Sequence, residues 1–323
     1  MGGCVTAGVS GRVSTSGGGT GGWGGSGGEA LLVVGDVVTD VVARHRAPLA
    51  PGTDTAADIR TLPGGAGANV ACWAAHEGLV DVRILARVGT DSGDWHEEQL
   101  RRARVHAQVV RDDEVPTTTV ISLVDATAER TFLTGSGAAL RLSPGDWSPS
   151  LLDGVAHLHL SGYLFFADTS RETALIALRA ARERSVTVSV DPASAGFIAG
   201  MGVGRFLEAL AGVDVLLPNT DEARLLTGLP ETADAAAKLS RQFPLVAATL
   251  GAGGALVAAS GSVRARVPPA SARAVDSTGA GDAFTGAFLA ARLAGADEAQ
   301  AAAAGCRAGA HAVTVMGGRP PFR

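Results

Sequence analysis

From residue 155 onward the chain alternates apolar, strand-like runs with stretches of helical period, and this rhythm constrains the fold more than any other feature. The runs V-A-H-L-H-L (155–160), V-T-V-S-V-D (186–191), V-D-V-L-L-P (213–218) and L-V-A-A-T-L (245–250) read as strands. The segments between them, 171–184, about 202–211, 221–227 and 232–242, read as helices. Such alternation predicts a mainly parallel sheet with helices on both faces. A β-hairpin over roughly 255–267 and two Ala-rich helices, 281–294 and 298 to about 314, complete this part. Upstream, A-L-L-V-V-G-D-V-V (30–38) and V-R-I-L-A-R-V (82–88) read as buried strands, with a helical stretch after Gly64 and Gly65. Segments 117–125 and 130–133 read as a hairpin, material for a small accessory sheet.

Composition narrows the function. The 323 residues are 46% hydrophobic and 18% charged, enough for one large α/β domain. Residues 1–28, with the run G-G-G-T-G-G-W-G-G-S-G-G, read as a flexible tail, and 29–323 as the domain. The tail lacks the charged start and apolar stretch of a signal peptide. A net charge of -5 argues against a nucleic-acid partner. No apolar run reaches the ~18 residues of a membrane span. Cys4, Cys72 and Cys306 form no C-x-x-C pair, so neither a zinc site nor a disulfide framework is expected, and the protein is expected in the cytoplasm. Among 27 basic residues only Lys238 is a lysine, so a Gly-Lys-Ser/Thr phosphate loop is excluded. Phosphate would have to be handled by backbone amides, arginine or metal.

The most informative stretch is V-D-S-T-G-A-G-D-A-F-T-G-A-F (275–288). Phe284 and Phe288 share a helix face, which predicts a helix beginning near Gly281. Gly279, Ala280 and Gly281 would then leave backbone N–H groups unpaired at the helix N-terminus, an anion cradle by geometry. Asp282 in the first turn would be a base beside that cradle. On spacing alone, Asp282 could equally be a helix cap.

D-S-T-G-A-G-D-A-F-T-G (276–286) resembles the C-terminal signature, D-T-x-G-A-G-D, of the ribokinase family of carbohydrate kinases, the phosphofructokinase B type. P-G-G-A-G-A-N-V-A (63–71), followed by R-V-G-T-D-S-G-D (87–94), is similar to the family's N-terminal signature. The resemblance spans about residues 30–320, with the motifs in family order.

It implies a ribokinase-like three-layer α/β sandwich with a β lid built from about 38–61 and 114–134, and an ATP-dependent phosphotransferase with an alcohol acceptor. By resemblance, Asp282 is the base and the Gly279, Ala280 and Gly281 amides hold the transferred phosphoryl. Asp40, Gly64, Gly65 and Asn69 bind the sugar, with Asp36 a second candidate. P-N-T-D-E-A (218–223) is similar to the N-x-x-E motif, so Asn219 and Glu222 organise Mg2+ through water; the same pair also reads as a helix capping box. Thr249 and Gly251 would contact ATP phosphates. Asp276, Thr278, Ala312, Val315 and Gly317 would hold K+.

Ala66 stands where ribokinases proper carry lysine. The implied acceptor is a hydroxymethyl of ribose or a similar pentose or hexose. A nucleoside is the alternative acceptor, with Phe132 as a wall for a base, and a non-catalytic sugar- or nucleotide-binding protein is a further one. The lid is a candidate homodimer surface. His157 and His159 read as packing residues.

Overall fold

The computed structural model describes residues 29–127 and 130–322; the tail expected at 1–28 lies outside the described residues. The strands are β1 (Ala30–Val34), β2 (Val38–His45), β3 (Ala57–Gly64), β4 (Val82–Gly89), β5 (His106–Asp112), β6 (Thr119–Val124), β7 (Arg130–Thr134), β8 (Val155–Ser161), β9 (Thr187–Asp191), β10 (Val215–Leu216), β11 (Leu245–Thr249), β12 (Ala255–Ala259) and β13 (Ser262–Val267). The helices are α1 (Ala66–His76), α2 (Gly93–Arg102), α3 (Asp168–Glu183), α4 (Ala195–Met201), α5 (Val203–Ala209), α6 (Thr220–Thr227), α7 (Thr232–Leu239), α8 (Ala280–Leu293) and α9 (Glu298–Ala312).

Two sheets result. The large one runs β13-β12-β11-β10-β9-β8-β1-β4-β5, parallel from β11 to β5 with an antiparallel hairpin at the β13 edge. The small one runs β3-β2-β6-β7 and forms the lid. This is the ribokinase-like α/β architecture.

Strand β1 lies inside the large sheet, between β8 and β4, and is buried along its whole length. Its side chains divide by alternation: Leu32 and Val34 pack with Leu158, Leu160, Ala174 and Leu178 on the α3 face. Leu31 and Val33 pack with Ala71, Phe284 and Phe288 on the α1–α8 face. A fully apolar strand is what a parallel sheet covered on both sides demands. His157 and His159 are buried between β8 and β9, and their ring nitrogens meet the hydroxyls of Thr187 and Ser189 at 2.7–2.9 Å. They are packing residues.

The chain departs from the sequence reading in four places. The run 30–38 is not one strand: it leaves the large sheet after Val34 and enters the lid at Val38. The N-terminus of α1 crosses there so closely that a Cβ on Gly35 would lie 2.8 Å from the Gly67 Cα. The helix expected at 202–211 is α5, and a further short helix that the sequence reading lacked, α4, precedes it across Gly202, whose φ of 96° separates the two. Helix α9 stops at Ala312 rather than about 314. Helix α2 and edge strand β5 give weak sequence signals, because α2 buries only Gly93, His96 and Leu100 and β5 is mostly half-exposed.

Helices α1 and α8 lie against each other at a glycine: a Cβ on Gly286 would come 2.5 Å from the Val70 carbonyl oxygen and 2.8 Å from the Trp73 Cβ. Gly286→Ala should therefore lower unfolding free energy by about 1–3 kcal/mol in urea denaturation. Gly200→Ala, in α4 with nothing within 4 Å of the added carbon, should be neutral or slightly stabilising. Equal effects of the two would show that the α1–α8 approach is not tight.

Candidate active site

The carboxyl ends of the parallel strands open onto one cavity of about 480 Å3. This is where an open α/β sheet places its ligand. Asp36 follows β1, Asp191 ends β9, Leu217 follows β10 and Thr249 ends β11; all four line the cavity, as do Asp40 and Val120 of the lid.

Helix α8 begins at the cavity wall. Gly279 is its N-cap with φ 72°, in the left-handed region, and a Cβ there would overlap the Gly318 backbone. The helix starts at Ala280, one residue earlier than the sequence pattern suggested, and its first regular bond runs from the Ala283 amide to the Gly279 carbonyl, 2.8 Å. The Gly281 and Asp282 amides precede that bond, so the first turn presents them forward. A Cβ at Gly281 would meet nothing within 4 Å; the space ahead of it is the cavity.

Asp282 also faces the cavity. Its Oδ2 accepts a 2.8 Å hydrogen bond from Asn69 Nδ2 on α1. Asn69, expected to touch the sugar, therefore reaches Asp282, and its Oδ1 is buried without a partner. Asp40, the first candidate by resemblance, and Asp36, the second, separate. Asp36 caps α1, accepting from the Ala66 and Gly67 amides at 2.8 and 3.2 Å and from the Ser161 hydroxyl at 2.8 Å. Asp40 lies over Gly64, where any Cβ would overlap its carboxylate. Gly65, with φ 96°, enters the cavity wall beside Asp36.

On the opposite side Asn219 caps α6. The Glu222 amide donates to Asn219 Oδ1, while the Asn219 amide and Nδ2 donate to the two carboxylate oxygens of Glu222, all within 2.8–2.9 Å. Both side chains line the cavity while completing the capping box. Thr249 bridges to Asn219 in parallel. Gly251 begins an exposed short turn outside the cavity lining.

The third group lies behind α8. Asp276 Oδ1 accepts from the Thr278 amide and hydroxyl at 2.9 and 2.7 Å, and Oδ2 accepts from the Gly317 amide at 3.0 Å. The Val275 and Asp276 amides both donate to the Val313 carbonyl, and the Val315 amide to the Ala312 carbonyl. Thus 275–278 and 312–317 run together, and of this set Thr278 alone lines the cavity.

The electrostatics are one-sided. Asp36, Asp40, Asp191, Glu222 and Asp282 line the cavity, and among the described residues its lining holds no lysine or arginine. Removal from water, then the charge of Asp191, pushes the Asp282 carboxyl well above the usual range. Burial pushes Asp40 up to about 7 against the pull of Arg319. Asp191 and Glu222 are also raised by burial, Glu222 further by Asp191. Such a wall suits a cation. Among the described residues no three His, Cys, Asp or Glu side chains converge as a metal cage, so the fit is to a cation carried in by its own ligand and held through water.

Four features escaped the sequence reading. Asp191 had a signal, the last position of a parallel strand. Arg319 had none: its Nη2 donates to the Gly64 carbonyl at 3.1 Å, while Nε and Nη1 are buried without partners. Tyr163, Phe166 and Phe197 join Phe132 in the lining. Lys238, the lone lysine, donates to the Thr227 carbonyl at 2.8 Å between α6 and α7, a structural role.

Comparison with known proteins agrees with this geometry. Residues 29–323 match the family described as pfkB family carbohydrate kinase. The chain is 32% identical to a fructokinase from Klebsiella pneumoniae over 80% of this chain and 83% of that one. It is 33% identical to an ATP-dependent ribose-1-phosphate kinase from Halopiger xanaduensis over 83% and 86%. A solved ribokinase from Thermotoga maritima superimposes with a TM-score of 0.77 at 28% identity, covering 90% and 94% of the two chains. The chain belongs to the pfkB family of carbohydrate kinases, phosphotransferases that act on an alcohol group.

Proposed function

We propose that this protein transfers the γ-phosphoryl group of ATP to the hydroxymethyl group of a sugar acceptor. The observation that carries the reading is convergence: the Asp282 carboxylate and the forward-facing amides of Gly281 and Asp282 share one cavity with Asp40 of the lid. The relatives support it, being named as kinases of fructose, ribose and ribose-1-phosphate. A structural neighbour from Escherichia coli was solved with ATP and Mg2+.

The acceptor hydroxyls bind at Asp40, with glycine backbone at 64 and 65 permitting close approach. Asn69 orients Asp282, which takes the proton of the attacking hydroxyl. The amides heading α8 receive the charge that develops on the transferred group. Asn219, Glu222 and Thr249 face the phosphates, and Mg2+, when bound, neutralises phosphate charge against the carboxylate wall. Asp276, Thr278 and the backbone of Ala312, Val315 and Gly317 offer oxygens to a K+ ion. Held there, the ion stiffens the loop leading into the cradle. The lid closes over the acceptor and excludes water. Ile59 and Leu133, exposed on the lid, support pairing of two copies through it.

Three outcomes are expected. Asp282→Asn should lower turnover roughly 10²–10⁴-fold while ATP binding by calorimetry persists; near-wild-type turnover would make Asp282 a cap. Replacing Na+ by K+ at constant ionic strength should raise the rate several-fold, and Asp276→Ala should erase the difference; equal rates in both salts for the wild type would remove the ion.

The third outcome concerns pH. Acceptor affinity needs ionised Asp40, so acceptor KM should rise as pH falls below about 7. Stability has the opposite slope. The folded value of about 7 lies above the ~4 of an unfolded aspartate. Its contribution is therefore full below about 4 and lost as pH rises through about 7. In ligand-free protein, the Tm of wild type relative to Asp40→Asn should fall between pH 6 and pH 8. A constant difference would show that Asp40 titrates normally.

A further inference from the structure

Aromatic residues make up only 4% of the chain, yet four of them, Phe132, Tyr163, Phe166 and Phe197, line the one cavity that holds Asp40 and Asp282. Phe166 and Phe197 stack at 5.2 Å with 22° between their planes, and Tyr163 stands edge-on to both, at 6.1 and 5.9 Å. Behind them Phe166 stacks on fully buried Phe206 at 5.8 Å. The wall is thus anchored in the core and built before any ligand arrives. Its outer rings are uncovered: Phe132 is 54% and Phe197 44% exposed.

The lid ring of the wall, Phe132, belongs to the acceptor end. In the lid, Asp40 pairs with Val120 and Val120 with Thr134, while Phe132 pairs with Ser122 two residues along, so alternation puts Asp40, Val120 and Phe132 on one face. The nucleotide end is marked instead by Asn219, Glu222 and Thr249. A bare sugar carries hydroxyls on every side, and each one buried against Phe132, Leu140, Phe166 or Phe197 would lose its water without gaining a partner. A flat ring attached to the sugar would satisfy this wall by stacking.

Resting on the kinase reading above, we infer that the acceptor is a nucleoside, its sugar hydroxymethyl at Asp282 and its base against Phe132, Phe166 and Phe197. Base–aromatic stacking multiplies affinity by roughly ten- to a hundred-fold.

The test measures phosphoryl transfer from ATP–Mg2+ to adenosine, guanosine, inosine, cytidine and uridine, beside ribose, fructose and methyl β-riboside. At least one nucleoside should exceed every ring-free acceptor in kcat/KM by tenfold or more. Phe197→Ala and Phe132→Ala truncate exposed rings, so the fold should tolerate them. Each should lower the nucleoside-to-ribose ratio of kcat/KM about tenfold.

A bare sugar as best acceptor, an unchanged ratio in both variants, or a rise confined to ATP KM would each overturn the inference. Transfer to sugars alone overturns it while leaving the kinase reading standing. Calorimetry with a non-hydrolysable ATP analogue present separates the remaining cases. Nucleoside binding weakened by the two variants, without transfer to any acceptor, supports the base site and overturns the kinase reading. Neither binding nor transfer overturns both.

Discussion

Asn69 and Asp282, 213 residues apart in the chain, meet in a 2.8 Å hydrogen bond that joins α1 to the head of α8. A hydrogen bond to a charged group contributes about 1.5–3 kcal/mol net. Its formation depends on backbone approaches that tolerate no side chain. Gly286 lets α8 lie on α1, Gly279 lets the preceding loop touch Gly318, and a Cβ on Gly318 would overlap the Asn69 amide. The Trp73 indole, on the same helix as Asn69, donates to the Gly318 carbonyl at 2.9 Å. Asp282, the head of α8 and the C-terminal segment are therefore one packed unit, to which α1 is joined through Asn69 and Trp73.

The charge distribution follows from this packing. Five carboxylates face a cavity without a cation in its lining, and the nearest buried guanidinium, Arg319, acts from behind Gly64. Burial therefore resists ionisation of the groups that chemistry needs ionised. A triphosphate could not enter such a wall as a bare anion. A cation that accompanies it resolves both conflicts, holding the phosphates near the carboxylates and drawing Asp282 back toward its ionised form. Ligand binding and activation of the base are then the same electrostatic event.

How much of this was legible in sequence varies with the kind of residue. The sheet, its helices and the lid hairpin could be read because parallel strands are continuous apolar runs and their crossovers have helical period. Glycine and aspartate motifs were legible because φ above zero, close approach and a helix-head carboxylate admit few residue types. Asp36 and Asp40 were ranked by resemblance and not by any local pattern. Both are acids near one strand end, and only the path of α1 makes the first a cap. The break at Gly35 was hidden for the same reason, since the contact that bends the chain is with Gly67. The aromatic wall was least legible. Phe132, Tyr163, Phe166 and Phe197 come from a lid strand, a short 3₁₀ turn and α4, and no local pattern links them.

The lid ties these threads together, because a polar cluster joins it to the large sheet. Thr117, just before β6, receives and gives hydrogen bonds with Gly89, Asp91 and Ser92 at 2.8–3.5 Å. Arg87 of β4 holds Asp112 at 2.8 Å and Asp146 at 3.0 Å, and Arg141 joins Asp112 at 2.9 Å. The crossing from β5 to β6 is thereby fastened to the large sheet, while the outer strands carry exposed side chains such as Ile59 and Leu133. On the proposed reading, the part of the lid sheet beyond this crossing, which carries Asp40 and Phe132, is the part that would move. A single swing would then move Asp40, the proposed polar anchor, and the Phe132 ring together relative to Asp282 at the head of α8.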